Sequence, residues 1–572
     1  MKMNKTYISN FIQRRKGDNI TFFFAVFFLI LIRFLYFGFE YYPQLDDYIQ
    51  HHNYAQLVEQ MFDGNMGEFI KWIGLLSARP LAGLLDITLW SWLWPCAIIG
   101  VILICAMYAY ASVLFLDVFR KTVGTTELFA VIFALLPLGI EGTYWLSAST
   151  RIVPGLLFTA LSAKFFIAFL EKGKWYNVAI SFLFQFLTFC FYEQTALLSC
   201  ALNCIIGALY IRKTVKLRWI FAPMGIISAL LYFTVVGMFG PSQLYDGRGS
   251  FFTSITPEYF SSFLPNLLGQ MKSSFFGGGF YTMTIGFVRG IKAMFSDVAV
   301  IYTVCIIALS VGLGYLVLAR DTKREAESKS VGRLLLTFAV GVALFVAPLV
   351  PFFVIDSEPW FSFRGTVPSF VGIALMCDAL VRVISFKSRR VIAVLCSVIS
   401  IYFCICSVSE ISDYRKNHEE DMRIVAAVSG ITKDHPDGGK IAILNLDSSY
   451  LDEMNCYYHE HISGVTESDW ALTGAVRCYN EFQLDHISYI PFSLQKDPVY
   501  KGWEYSTKAI GTMNGVYWFD HSSNSLVKLN LVSEGDHIFS LYFENGKKYA
   551  TVVETPSKNN PSQYEGRIFE EN

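Results

Sequence analysis

Along the first 410 residues, long apolar runs alternate with short polar breaks, and beyond that point the pattern changes to short alternating stretches. Runs able to span a hydrocarbon core of about 30 Å fall near residues 20 to 38, 96 to 117, 127 to 141, 152 to 170, 176 to 191, 194 to 211, 219 to 239, 297 to 319, 334 to 353, 367 to 385 and 390 to 409. The pattern predicts a mainly α, polytopic membrane protein of about eleven transmembrane helices. From about Glu410 it predicts a helix to Thr432, a strand over 440–446, and further strands that include 515–519 and 537–543, the last turning at Asn545-Gly546 as a hairpin. This is a small α/β or β-rich C-terminal domain over 410–572, following a transmembrane domain over 20–409 and a short N-terminal segment over 1–19.

Two segments between runs are long. Residues 40–95 carry Tyr48, Ile49, Tyr54, Leu57, Val58, Met61 and Phe62 at helical spacing among polar residues, the signature of a helix lying on the membrane surface. The stretch 81–94 is apolar but short and ends in three tryptophans, which suits a half-inserted helix at the interface. Residues 240–296 are broken by Gly247-Arg248-Gly249 and Gly277-Gly278-Gly279 and read as a re-entrant or lid element.

Composition agrees with the pattern. Hydrophobic residues make up 53% of the chain and charged residues only 16%, which excludes a soluble protein of this length. Basic residues show no dense patch, so nucleic-acid binding is set aside. Lys and Arg concentrate in alternate connections, among them Arg120, Lys121, Lys172, Arg212, Arg320, Arg382, Arg389 and Arg390. By the positive-inside rule these are cytoplasmic, with the N-terminus, while the long loops and the C-terminal domain are extracytoplasmic. The first apolar run lacks a small-residue cleavage site and reads as a signal anchor. Most cysteines lie in the runs, as small apolar filler; Cys456 and Cys478, in the outer domain, are a candidate disulfide.

With that orientation, acids, arginines and aromatics collect on the outer face: Glu40, Asp46, Asp47, Arg79, Glu141, Trp145, Arg151, Tyr192, Glu193, Asp356, Glu358, Trp360 and Arg364. Such a set suits a lipid-linked substrate whose phosphate is held by arginines, whose sugar stacks on aromatics, and whose acceptor hydroxyl is deprotonated by a carboxylate. Adjacent helical residues point about 100° apart, so Asp46 and Asp47 have different roles. Asp46 is the preferred base; Asp47, with Gln50 after it, is either a second chemical group or the cap of the surface helix. Either aspartate is also a candidate ligand of a divalent metal, but no ligand set is complete around His51 and His52, and no cofactor is otherwise implied. Arg79 precedes Pro80, a favoured first helical residue, and so stands at a helix mouth. Glu193 is expected to meet acceptor hydroxyls, to pair with Arg79 or Arg151, or simply to be solvated. Arg33 and Lys164, inside the runs, are expected to snorkel.

The first run ending in Leu45-Asp46-Asp47, the amphipathic outer segment and then Ala78-Arg79-Pro80-Leu81-Ala82-Gly83-Leu84 resemble the serotype-converting phage glucosyltransferases and their bacterial relatives, in the GT-C class of membrane glycosyltransferases. The similarity is best over about residues 20 to 120. It implies inverting transfer of a sugar, such as glucose, from a polyprenyl-phosphate donor to a surface glycan, with an aspartate of the first outer loop as base; residue by residue it carries only Asp46, Asp47 and Arg79. The alternatives are a polysaccharide polymerase or ligase, which usually relies on loop arginines and a histidine, and a transporter or flippase, which usually places ionisable groups near the midplane.

Overall fold

The computed structural model describes residues 5–49, 58, 62–73, 79–211, 217–238, 256–296, 300–320, 331–354, 360–384, 388–446, 464–480, 486–496, 503–557 and 563–570. The chain divides into two compact units, one of 1–41 with 67–412 and the other of 42–66 with 413–572. The segment 42–66 thus belongs with the C-terminal domain, where a sequence-based boundary at 410 leaves it with the helices.

The first unit is helical, and among the described residues seven helices are long and apolar enough to cross a membrane: Ala97–Thr122, Leu146–Lys172, Leu217–Gly237, Val300–Ala319, Val331–Val354, Phe363–Ile384 and the first part of Arg389–Asp434. This last helix exceeds twice the length needed for about 30 Å, so its apolar half near 390–409 is the part suited to a bilayer. The other expected spans are shorter or interrupted. Asn19–Phe34 is the apolar part of a longer helix, Lys5–Phe34, Trp175–Phe189 is apolar but brief, and the expected span 127–141 is broken at Pro137 into Glu127–Leu135, a 3-10 turn Pro137–Gly139 and Ile140–Thr143.

That break explains Arg33. Its side chain is fully buried and donates from Nη1 to the Leu135 carbonyl at 2.9 Å and from Nη2 to the Ala134 carbonyl at 3.1 Å. Pro137 ends the helix, its last carbonyls lose their helical donors, and a cation at that negative end supplies them. Arg33 therefore caps a helix and does not snorkel.

Charged groups gather at two ends of the helical unit. At one, buried Glu127 receives Arg389 at 3.1 Å, Arg120 at 2.5 Å and Arg320 at 3.6 Å, while Arg382 contacts Asp378 and the Gly124 carbonyl. Arginines that the sequence places only in the expected cytoplasmic connections thus hold helix ends together. At the other end lie Arg79, Arg151 and Arg364. Helix Ala97–Thr122, about 39 Å long, separates the two ends, with Arg120 in its last turn. Its first turn sits at the Arg151 end, since a Cβ on Gly100 would lie 3.5 Å from Leu146 and 3.9 Å from Trp90. The segment 80–96 consequently starts and finishes at the same end of the helical unit. The helical segment 256–296 is fixed to that end through Gln270, whose Oε1 accepts the Phe361 amide at 2.7 Å, and through Gly278, packed on Phe363.

Among the described residues, the second unit is built on a mixed sheet of nine strands. Its strands are β1 (Gly439–Leu446), β2 (Ile487–Ser493), β3 (Gln495–Lys496), β4 (Trp503–Thr507), β5 (Gly515–Asp520), β6 (Ser525–Gly535), β7 (Ile538–Phe543), β8 (Lys548–Pro556) and β9 (Tyr564–Glu570), in the order β2-β1-β5-β6-β7-β8-β9-β4-β3. β1 pairs in parallel with β2 and β5, the β1–β2 connection carrying the helix Asp469–Tyr479; the remaining ladders are antiparallel. The Asn545-Gly546 turn joins β7 to β8, with Gly546 at φ +80°. The alternate residues Ala442, Leu444, Ile490, Phe492, Tyr505, Leu541, Val552 and Ile568 form one core. Phe492 on edge strand β2 meets Tyr505 on β4 at 4.9 Å between ring centroids, so the sheet curls back on itself around that core. Cys456 lies outside the described residues, and Cys478 sits in the helix Asp469–Tyr479.

Candidate functional site

In the helical unit, the site is assembled by three chain reversals. Arg79 caps Pro80–Leu85, with Pro80 in its first turn as its fixed φ favours. The amides of Leu81 and Ala82, which have no helical acceptor, donate to the Cys190 carbonyl at 3.2 Å each. This fixes the Arg79 turn beside the reversal 190–193, where Tyr192 caps the helix Glu193–Tyr210. The third reversal brings Trp145, just ahead of Leu146–Lys172, to Arg364 at the start of Phe363–Ser369.

The resulting contacts are specific. Arg79 Nε donates to Glu193 Oε1 and Nη2 to Oε2, both at 3.0 Å, while its guanidinium lies 4.6 Å from the centre of the Tyr192 ring. Glu193, in the first turn of its helix, is favoured there by the helix dipole as well. The guanidinium of Arg364 lies 5.4 Å from the Trp145 ring and its Nε 3.9 Å from Glu141 Oε1. Arg151 Nη2 donates to Asp86 Oδ2 at 2.7 Å. Burial pushes the Tyr192 phenol up, against the pull of Arg79 and Arg364, so it remains a neutral hydroxyl.

Of the sequence-derived candidates, Arg79, Trp145, Arg151, Tyr192, Glu193, Arg364 and Glu141 all fall at this end of the helical unit. Each arginine faces a carboxylate. Arg79 and Arg364 keep side-chain exposures of 24% and 29%, against 13% for Arg151, so those two are the guanidiniums that an incoming anion reaches first. Their guanidiniums lie over aromatic rings, and two forked donors beside aromatic side chains can hold a phosphate and a sugar ring together.

Asp86 was not among the candidates. It is fully buried, and burial pushes its carboxyl up while Arg151 and Arg79 pull it down. The sequence holds one signal for it: Asp86 is the only ionisable residue between Leu81 and Trp94. A lone charge in an apolar interfacial stretch carries its own expectation of function.

Asp46 and Asp47 belong to the second unit. Asp47 is buried and its Oδ2 accepts the Gln44 amide at 2.9 Å, closing the turn in which Leu45 takes φ +31°. Gln44 in turn donates to the Tyr414 carbonyl at 3.1 Å and accepts from Asn417. Asp47 therefore organises the backbone of this turn, while Asp46 is half-buried beside it. Tyr48 and His418 complete the layer, their Oη and Nδ1 being 3.3 Å apart. Gln50, His51, His52, Arg248, Asp356 and Glu358 lie outside the described residues. Among the described residues, no three His, Cys, Asp or Glu side chains are grouped to hold a metal. Comparison of the chain with protein-family models and with curated proteins found no match to either.

Proposed function

We propose that this protein is a membrane glycosyltransferase that moves a sugar from a polyprenyl-phosphate donor to a cell-surface glycan at the extracytoplasmic face. The observation that carries the reading is the pairing of accessible guanidiniums with aromatic rings, Arg79 with Tyr192 and Arg364 with Trp145, at one end of an apolar helical unit. Phosphate needs forked, charged donors, and a sugar needs a flat apolar face; a lipid-linked sugar presents both at the bilayer surface. The grouping at an end rather than at mid-depth favours the transferase over a transporter, which uses ionisable groups near the midplane.

We also infer eleven crossings with the N-terminus inside. Glu127 meets Arg120, Arg320 and Arg389, all expected inside, whereas Glu141 meets Arg364, expected outside. The broken segment between the two acids thus accounts for one crossing despite its short helices, and the same logic extends to Asn19–Phe34, Trp175–Phe189 and Glu193–Tyr210.

In the reaction, the acceptor hydroxyl oxygen attacks the anomeric carbon with inversion, the bond from that carbon to the phosphate oxygen breaks, and the electron pair leaves with the phosphate. The hydroxyl proton passes to a carboxylate. The resemblance implies an aspartate of the first outer loop as base, and Asp46 is assigned ahead of Asp47 because the Asp47 carboxylate is engaged by the Gln44 amide. Arg79 and Arg364 stabilise the charge gathering on the departing phosphate.

The test is sugar transfer by the full-length protein in liposomes, with titrated polyprenyl-phosphate glucose and an extracted surface glycan. Asp46→Asn should lower turnover by at least about 10³, more than 4 kcal/mol of barrier, with unchanged expression. Activity in both Asp46→Asn and Asp47→Asn would misplace the base, and no transfer from any polyprenyl-phosphate hexose would refute the function.

A further inference from the structure

Two buried polar groups in the turn Asp86–Trp90 have no hydrogen-bond partner among the described residues: Asp86 Oδ1, an acceptor, and the Trp90 indole N–H, a donor. Both residues are buried, Asp86 at 0% and Trp90 at 3% exposure. Leaving such groups unpaired forfeits the hydrogen bonds they make in water, and burial of two, one turn apart, calls for an explanation. The turn is π-helical, a form that recurs at functional sites. Residues four apart in so wide a turn lie nearly one above the other, so acceptor and donor share one helix face.

The other carboxylate oxygen is fixed by Arg151, and the indole packs beside Gly100. The two groups are therefore held rather than free to turn away. A hydroxyl is the ligand that satisfies both, donating its proton to Asp86 Oδ1 and accepting from Trp90 Nε1. Water can satisfy the same pair, but the site belongs to the short segment that begins at Arg79, and Arg79 contributes to the field at Asp86. Because both groups lie beneath the surface, the occupant is a single hydroxyl or hydroxymethyl arm and not a whole ring.

We propose that Asp86 and Trp90 form a hydroxyl-recognition site that selects the sugar of the lipid-linked donor, with Arg151 as its positioning residue. The inference rests on the transferase reading for the identity of the ligand. Full-length protein in detergent is titrated with a short-chain polyprenyl-phosphate glucose and its 2-, 3-, 4- and 6-deoxy analogues, with binding read by tryptophan fluorescence and transfer measured in parallel. One deoxy analogue should bind about 10- to 100-fold more weakly than the parent, the loss expected for a hydrogen bond to a charged group. Asp86→Asn and Trp90→Phe should each shrink that gap to within about threefold while leaving the affinity for that analogue near the wild-type value.

Equal binding of all analogues by the wild type overturns the site, as does a gap that persists in both variants. A uniform loss for every analogue with a lowered melting temperature assigns the pair to structure alone and also overturns it. A gap in binding without any transfer refutes the transferase reading and leaves the hydroxyl site standing; transfer without a gap does the reverse.

Discussion

Replacement of Arg79 separates a structural clasp from a phosphate ligand. Its side chain makes a forked pair with Glu193 and stacks on Tyr192, but with side-chain exposures of 24% and 36% the ion pair is screened and contributes at most about 1 kcal/mol. The cation–π contact adds about 0.5–1 kcal/mol, so Arg79→Ala should cost at most about 1.5–2 kcal/mol of stability, and Arg79→Lys, which keeps charge but loses the fork, at most about 1 kcal/mol. The functional effect should be larger: forfeiting charge-assisted bonds to a phosphate, each about 1.5–3 kcal/mol, lowers kcat/KM about 10- to 100-fold. Glu193→Gln is the comparison, because it loosens the same clasp yet leaves the guanidinium available; it should destabilise as Arg79→Lys does without raising the KM for donor. The assay is transfer in liposomes with titrated lipid-linked sugar, beside melting of each variant in one detergent. Unchanged kinetics in both Arg79 variants, or equal kinetic losses in Arg79→Lys and Glu193→Gln, would show that this arginine only ties 79 to 193, and the phosphate would have to be held by Arg364 or Arg151.

Glu127→Gln removes the charge at which Arg120, Arg320 and Arg389 meet; breaking a buried pair costs about 3–5 kcal/mol, so melting should fall sharply, and an unchanged melting temperature would refute that role. In the second unit, burial depresses the His418 imidazole from 6.5 to about 4. Below pH 6.5 the unfolded chain takes up a proton that the folded one refuses, so this contribution is present above pH 6.5 and about 3 kcal/mol is lost as pH falls toward 4; denaturation across that window should be flatter in His418→Gln, and identical slopes would refute the assignment. Gly566 on β9 faces Tyr505, and a Cβ there would sit 2.0 Å from its ring; Gly566→Ala should therefore cost about 1–3 kcal/mol by overpacking, and a wild-type melting profile would count against the curled core. A cysteine at Gly249 should react with an impermeant reagent in intact cells, and reaction only after lysis would invert the topology.

The apolar runs by themselves determine a helical membrane protein followed by a β-rich domain, because hydrophobic length and a period of two are local properties of the chain. The Pro80 helix start, the Asn545-Gly546 turn and the strand read at 440–446, found at Gly439–Leu446, were legible for the same reason: each depends on backbone preferences of adjacent residues. Sequence also collected Arg79, Trp145, Arg151, Tyr192, Glu193 and Arg364 on one face, since alternating connections set their side. It did not say which acid each arginine would meet, because that depends on which helices are neighbours. Only packing paired Arg79 with Glu193, 114 residues away, and Arg151 with Asp86. Only packing turned Arg33 from a snorkelling cation into the cap of a helix cut by Pro137, and the inner arginines into ligands of Glu127. Buried charges are stable only beside partners that satisfy them, and those partners come from distant parts of the chain. For that reason the pattern of residues sets the elements and their order, while the fate of each ionisable group is decided when the helices close around it.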